Sequence, residues 1–204
     1  MSALGALASL QPGKDFDVLV VGGSAGAFTA LRLILPALDC PGLVAIVVVH
    51  QAAHGGDLAE LFHGIAALPC VTVEDKAPVR PGAVYFAPAG YHLLIEREGH
   101  FALSVDAPVN FSRPSIDVLF ESAAETHGAR VAALVLTGAS DDGARGLKCV
   151  ADAGGIAFVQ DPADAEMPLM PASAARLANP RARLTLAQIA SLFTTWSRAT
   201  VTHA

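Results

Sequence analysis

The chain has 204 residues, of which 53% are apolar and 16% charged, so it can bury one substantial core and is too apolar for a disordered protein. Its 13 Lys and Arg against 19 Asp and Glu leave a net charge of −6, without the basic cluster that nucleic-acid binding requires. Every apolar run is interrupted before the roughly 20 residues of a membrane span, which predicts no membrane insertion. The three cysteines are widely spaced and the start of the chain has no basic n-region, so we expect a cytoplasmic protein.

Short apolar strands alternate with helical segments after residues 1–14, which we expect to be a flexible leader. Residues 15–204 are predicted to form a single domain. The strands of a mainly parallel sheet are expected at residues 17–21, 43–49, 71–74, 131–137 and 156–160. Helical spacing predicts a helix at 114–126 and a closing helix at 184–196. The alternation predicts an α/β fold, with a doubly wound sheet covered by helices on both faces.

The middle third of the chain has a different pattern. Residues 83–87, 92–96 and 101–105 are closely spaced strand candidates, joined by Pro-Ala-Gly and Glu-Gly turns. This spacing predicts an antiparallel hairpin at one edge of the sheet.

The first predicted strand leads into Gly-Gly-Ser-Ala-Gly at residues 22–26, which has the G-x-S-x-G form of a nucleophile elbow. A serine on such a strand-to-helix turn points away from the sheet, beside the free N–H groups of a helix N-terminus. Ser24 is therefore a candidate nucleophile. A Gly-rich turn here also fits dinucleotide binding, but Ser24 stands where the second glycine of that fingerprint belongs, and the second strand ends in His50 instead of an acidic residue.

A serine nucleophile needs a base and a carboxylate that orients the base. His50 is the leading base, because the C-terminal ends of neighbouring parallel strands gather at one crevice. Asp141 and Asp142 follow the most apolar strand and both qualify as the acid; either could instead cap the helix expected near Gly143. Local chemistry does not choose between the two.

Two further sets of residues have other interpretations. His50 and His54 have the i, i+4 spacing of a metal-binding helix, yet Gln51 replaces the glutamate of the H-E-x-x-H motif and no third ligand is evident. Arg113 is a candidate for binding an anionic substrate, with a surface ion pair as the alternative.

Six motifs occur in the order found in the CheB-type chemotaxis methylesterases, which hydrolyse methyl esters of glutamate side chains on chemoreceptors. They lie at residues 21–26, 48–50, 85–93, 113–120, 136–143, and 160–162 with 170–171. The chain therefore resembles the catalytic domain of that family. The resemblance implies that Ser24 is the nucleophile, His50 the base and Asp142, not Asp141, the orienting acid. Their chain order differs from that of the α/β-hydrolases, so the same roles are carried by another fold.

The resemblance also implies a function without a cofactor or metal. The expected substrate partner is the cytoplasmic region of a methylated chemoreceptor or a similar protein, and glutamine deamidation is a second expected activity. Where the family usually has a hydroxyl residue and a Gly-Met-Gly stretch, this chain has Ala25 and residues 138–140, Gly-Ala-Ser. The backbone N–H groups of Ala25 and Ala139 can still form an oxyanion hole. Because the chain has no room for a receiver domain, we expect any phosphorylation control to come from a separate regulatory partner. The altered loop leaves one alternative: a catalytically weakened domain that binds a receptor or signalling partner.

Overall fold

The centre of the molecule is a seven-stranded parallel sheet, seen in a computed structural model that describes residues 2–50 and 56–201. The β-strands in this part of the chain are Val18–Gly23 (β1), Val44–Val49 (β2), Cys70–Thr72 (β3), Ala83–Phe86 (β4), His92–Ile95 (β5), Phe101–Ser104 (β6), Val131–Val135 (β7), Ile156–Gln160 (β8) and Ala182–Leu184 (β9). The α-helices are Ala3–Ala8 (α1), Ala27–Ile34 (α2), Leu58–Phe62 (α3), Ile116–His127 (α4), Ala144–Asp152 (α5), Leu169–Ala178 (α6) and Leu186–Val201 (α7). Short 3-10 helices follow α2 and α4.

The strand order of the main sheet is β3-β4-β2-β1-β7-β8-β9, and every neighbouring pair is parallel. The chain builds outward from β1 through β2 on one side and then returns to β7 on the other side of β1. The strand order therefore reverses between β1 and β7. In open α/β sheets the crevice beyond the carboxyl ends of the strands at such a point is where ligands bind. The predicted doubly wound parallel sheet is confirmed.

Two apolar cores lie on the two faces of the sheet, because alternate residues of each strand point to opposite sides. In β1, Leu19 and Val21 pack into one core with α1, α2, α3 and α7, whereas Val18 and Val20 pack into the other with α4, α5 and α6. Both faces are thus covered by helices, as a parallel sheet requires.

The predicted antiparallel hairpin is present as β5 paired with β6, but it forms a separate two-stranded sheet beside α4. The Ile95 N–H donates to the Ser122 hydroxyl of α4 at 3.1 Å. Residues 83–86, which the sequence groups with this hairpin, belong instead to the parallel sheet as β4. Val84 and Phe86 pack into one core and Tyr85 into the other, so both faces of this strand are buried as in a parallel sheet.

The first residues of the chain pack against the last helix. Leu7 of α1 has no exposed surface, and the indole N–H of Trp196 donates to its carbonyl oxygen at 3.0 Å. Residues 3–8 therefore form a packed helix where the sequence predicts a flexible leader, because Leu7 completes the core beside α7. Among the helices of residues 2–50 and 56–201, none combines the length and the apolar character needed to cross a bilayer.

Candidate active site

Three strand ends meet where the strand order reverses. The His50 N–H, directly after β2, donates to the Gly23 oxygen of β1 at 3.0 Å. The Ser24 N–H, directly after β1, donates to the Thr137 oxygen beyond β7 at 2.9 Å. The backbone ladder therefore brings Ser24, His50 and the segment after β7 to the same edge of the sheet.

Close packing explains the glycines of the turn after β1. A Cβ atom on Gly22 would lie 2.2 Å from Cγ2 of Ile116, the first residue of α4. Gly26 has a φ of 82°, and a Cβ there would lie 2.8 Å from a carboxylate oxygen of Glu166. The turn can therefore be narrow, and α4 can approach β1, because these side chains are absent.

His50 and Asp142 form a buried pair. Nε2 of His50 lies 2.7 Å from Oδ2 of Asp142, whose side chain has no exposed surface, whereas that of His50 is 11% exposed. An ionised carboxylate can only accept hydrogen bonds, so Nε2 carries the proton and donates it to Asp142. In the neutral imidazole this leaves Nδ1 with a lone pair, which is the form that a general base requires.

The N-terminus of α4 surrounds the Asp142 carboxylate with donors. The N–H groups of Ile116 and Asp117 lie 2.6 Å and 3.2 Å from its oxygens, and the Ser115 hydroxyl lies at 2.8 Å. Burial acts to raise the pKa of Asp142, but the hydrogen bonds from His50, the Ile116 N–H and Asn110 outweigh burial and hold this pKa below its ordinary value. The acid is therefore ionised at neutral pH and keeps the proton of His50 on Nε2.

A second buried carboxylate, Asp117, lies beside Asp142. It accepts hydrogen bonds from the N–H groups of Gly143 at 2.9 Å and Gly146 at 2.7 Å, so a residue of α4 caps the start of α5. Burial raises the pKa of Asp117, and the charge of Asp142 acts in the same direction, against the hydrogen bond from Gly146. The Asn110 side-chain nitrogen lies 3.0 Å from an oxygen of each carboxylate and donates to both.

The groups that would face a substrate are unpaired within the described residues. The Ser24 hydroxyl makes no hydrogen bond there, and the Ala25 and Ala139 N–H groups have no acceptor in the same part of the chain. Both alanines are exposed. The Thr137 hydroxyl donates to the Ala25 oxygen at 2.9 Å, which ties the turn after β1 to the segment that carries Ala139. Unpaired N–H groups on exposed residues near a serine are suited to stabilising an oxyanion.

Comparison with known proteins identifies the family. A family model described as CheB methylesterase matches residues 19–193. The chain belongs to the CheB methylesterase family. The crystal structure of the Thermotoga maritima CheB methylesterase catalytic domain is similar with a TM-score of 0.82 and 28% identity, covering 88% of this chain and 97% of that one. The resemblance drawn from the sequence motifs is thereby confirmed.

Two relatives extend this comparison with the CheB methylesterase family. A protein of Leptospira interrogans, named putative protein-glutamate methylesterase/protein-glutamine glutaminase, is 41% identical over 181 residues, which cover 88% of this chain and 94% of the relative. A protein of Rhodospirillum rubrum, named protein-glutamate methylesterase/protein-glutamine glutaminase 1, is 33% identical over 192 residues. That match covers 90% of this chain and 50% of the relative. The Leptospira relative is therefore close to this chain in length, whereas the Rhodospirillum relative is about twice as long.

The structure brings some of the predicted CheB methylesterase site residues together and leaves others apart. His50 contacts Asp142, whereas the exposed Asp141 contributes a backbone oxygen that accepts from the Ala144 N–H at 3.2 Å. Ser24 lies on the adjacent strand end, but among the described residues no hydrogen bond joins it to His50. His54, of the alternative metal motif, lies outside the described residues.

Arg113 is engaged with backbone oxygens. Its Nη1 donates to the Val105 oxygen at 2.7 Å and to the Asp106 oxygen at 2.9 Å, and its buried Nε has no hydrogen-bond partner among the described residues. The surface ion pair considered from the sequence is not among the salt bridges of the described residues. Arg113 therefore holds the loop that leads to residues 110–112 of this CheB methylesterase fold.

Several polar residues of the site were not found by sequence reasoning. Asn110 contacts both carboxylates, and the Ser112 hydroxyl lies 3.2 Å from Nδ1 of His50. The buried His92 accepts the Ser115 N–H at 3.2 Å on Nδ1 and donates from Nε2 to the Ala107 oxygen at 3.1 Å. Ser115 alone carried a readable signal, since a serine directly before a helical pattern is typical of an N-cap.

Proposed function

We propose that the protein is a protein-glutamate methylesterase in which Ser24 is the nucleophile, His50 the general base and Asp142 the acid that orients His50. The observation that carries the proposal is the 2.7 Å contact of His50 with the buried Asp142, at a strand end hydrogen-bonded to the one that bears Ser24. Membership of the CheB methylesterase family and the names of the relatives support this choice of ester.

The first step forms an acyl-enzyme. The lone pair on Nδ1 of His50 takes the Ser24 proton while the serine oxygen attacks the γ-carbonyl carbon of a glutamyl methyl ester. The carbonyl oxygen becomes an oxyanion, which the N–H groups of Ala25 and Ala139 stabilise together with the N-terminus of α2. The imidazolium that forms is stabilised by the Asp142 carboxylate.

The second half of the reaction releases methanol and returns the enzyme to its starting state. When the tetrahedral intermediate collapses, the C–O bond to methoxide breaks and His50 transfers its proton to the leaving oxygen, giving methanol. Water then attacks the acyl-enzyme, with its proton passing to His50, and the ester bond to Ser24 breaks. His50 returns this proton to the departing Ser24 oxygen, so the products are a glutamate side chain and the free Ser24 hydroxyl, and the reaction balances without an oxidant or reductant.

Glutamine deamidation is a second activity of the same site. It follows the same route, except that the leaving group is ammonia instead of methanol. The names of the relatives, which combine methylesterase and glutaminase, support this activity.

The substrate we propose is the cytoplasmic region of a methylated chemoreceptor or a similar protein, with a separate partner regulating the enzyme in the cytoplasm. Arg113 is proposed to contribute to substrate binding through Nη2, which makes no hydrogen bond within the described residues. Its Nη1 holds both the Val105 and the Asp106 oxygens, so this contact would be made beside a loop that is already fixed.

The test is methanol release from a methylated chemoreceptor, measured for the wild type and for Ser24→Ala. We expect release by the wild type and none above background by the variant. Labelling with a fluorophosphonate probe, followed by peptide mapping, should place the label on Ser24. Full activity in Ser24→Ala would end the proposal. An unlabelled wild type that still binds the receptor would favour the binding-module alternative.

A further inference from the structure

A tight turn at residues 109–112 lies against the candidate active site. The Ser112 N–H donates to the Val109 oxygen at 2.9 Å, and the Val109 N–H donates to the Ser112 oxygen at 3.2 Å. The two central residues, Asn110 and Phe111, have φ angles of 49° and 61°, the positive signs of a type I′ turn. Phenylalanine is a costly residue in this conformation, so the turn is held in place by its surroundings.

The anchor of the turn is Asn110. Its side chain donates to both Asp117 and Asp142, which are 2% and 0% exposed. The turn that carries Ser112, two residues later, is therefore anchored to two buried carboxylates, although Asn110 itself is exposed.

The Ser112 hydroxyl lies 3.2 Å from Nδ1 of His50. Because Nε2 of His50 donates to Asp142, Nδ1 of the neutral ring is an acceptor, and the Ser112 O–H donates to it. The proposed mechanism requires this same lone pair for the proton of Ser24. One lone pair thus has two serine hydroxyls as candidate partners, and in this structure Ser112 is the one that contacts it.

We propose that Ser112 lowers the reactivity of Ser24 by occupying Nδ1 of His50 in the resting enzyme. The inference rests on the proposed function and adds a means of regulating the same site. The nucleophile becomes active when the Ser24 hydroxyl replaces the Ser112 hydroxyl as the hydrogen-bond partner of Nδ1. Phe111 has its side chain fully exposed at the apex of the turn, where a protein substrate can contact it and shift the adjacent Ser112.

The experiment measures the second-order rate constant for labelling of Ser24 by a fluorophosphonate probe. We expect Ser112→Ala to react about 2- to 10-fold faster than the wild type, the factor that corresponds to one neutral hydrogen bond. Ser112→Thr and Ser112→Val form a matched pair of nearly the same shape. The threonine variant, which keeps the hydroxyl, should react more slowly than the valine variant.

Each outcome decides between the two proposals. A Ser112→Ala rate equal to or below that of the wild type, together with equal rates for the threonine and valine variants, overturns the role of Ser112 while Ser24 remains the nucleophile. Labelling that persists in Ser24→Ala, or maps to Ser112, overturns the proposed function and this inference with it. Loosening of the turn would affect the threonine and valine variants alike, so a faster alanine variant together with a slower threonine than valine variant supports competition for Nδ1.

Discussion

Asp117 and Asp142 share one donor, because the side-chain nitrogen of Asn110 lies 3.0 Å from an oxygen of each carboxylate. The two N–H groups on this nitrogen thus lie between the two buried carboxylates, where they donate to both. Asn110→Gly removes these groups, while glycine tolerates the positive φ of this position. We expect the free energy of unfolding to fall by about 1.5–3 kcal/mol, the range for hydrogen bonds to charged groups. Urea unfolding at pH 7 measures this, and an unchanged stability would show that the amide is not needed between the acids.

The two neighbouring acids after β7 should differ sharply in their effect on turnover. Asp142→Asn removes the charge that fixes the proton of His50 on Nε2, so kcat should fall by about 10⁴-fold, the loss seen for the orienting acid of a Ser-His-Asp site. Asp141→Asn is the matched control, since this exposed side chain makes no hydrogen bond within the described residues. Its methanol release should stay within about twofold of the wild type. Similar losses in both variants would argue against the assigned acid.

The dependence of stability on pH should have opposite signs for the two buried acids. The pKa of Asp142 is lower in the folded protein than the ordinary value of 3.8, so its contribution is complete above this value and is lost as the pH falls through the folded pKa. The pKa of Asp117 is raised, so the folded state takes up its proton more readily, and stability decreases as the pH rises from 3.8 through the folded pKa.

Urea unfolding at pH values on both sides of 3.8 separates the contributions of Asp142 and Asp117 to the free energy of unfolding. The stability advantage of the wild type over Asp142→Asn should shrink on acidification below pH 3.8. The difference between the wild type and Asp117→Asn should change in the other direction, growing less favourable to the wild type as the pH rises above 3.8. Parallel pH profiles for the two variants would contradict the opposite pKa directions.

The close approach of β1 and α4 predicts a severe effect at Gly22. A methyl group there would lie 2.2 Å from Cγ2 of Ile116, whose N–H binds Asp142. We expect Gly22→Ala to lower the free energy of unfolding by about 1–3 kcal/mol through overpacking, and to lower activity because α4 must shift. Gly56→Ala, with no atom of the described residues within 4 Å of the added methyl group, is the control and should be neutral.

A double variant tests whether the contact itself causes this loss. Ile116→Ala removes the clashing atoms, so Gly22→Ala should cost less in the Ile116→Ala background than in the wild type. Additive losses in thermal or urea unfolding would mean that Gly22 matters for a reason other than Ile116.

Sequence patterns could predict the parallel sheet and the strand ends at which two residues of the candidate site lie, because those depend on local order. Ser24 and His50 each follow an apolar strand, and neighbouring strand ends converge by the geometry of the sheet. The choice between Asp141 and Asp142 could not be made locally, since it depends on which carboxylate faces the N-terminus of α4. The choice of Asp142 comes from the resemblance to the CheB family.

Other features had no sequence signal strong enough to predict them. Ser112 lies 62 residues from His50 along the chain, on a turn whose Asn-Phe centre lacks the glycine typical of a type I′ turn. The sequence groups β4 with the hairpin because its length and its distance from β5 fit a hairpin strand. Only the burial of both faces of β4, which depends on tertiary packing, distinguishes a strand of the parallel sheet from a hairpin strand.

The carboxylate of Asp117 belongs to α4 and caps α5, and this limits how the site can change in evolution. The segment between β7 and α5 carries both Ala139 and Asp142, and its far end is fixed to the same helix whose first amides bind Asp142. An insertion in this segment would displace the Ala139 N–H and the Asp142 carboxylate at once. Directed evolution toward bulkier esters should therefore accept length changes between β5 and β6, and reject them between residues 137 and 143.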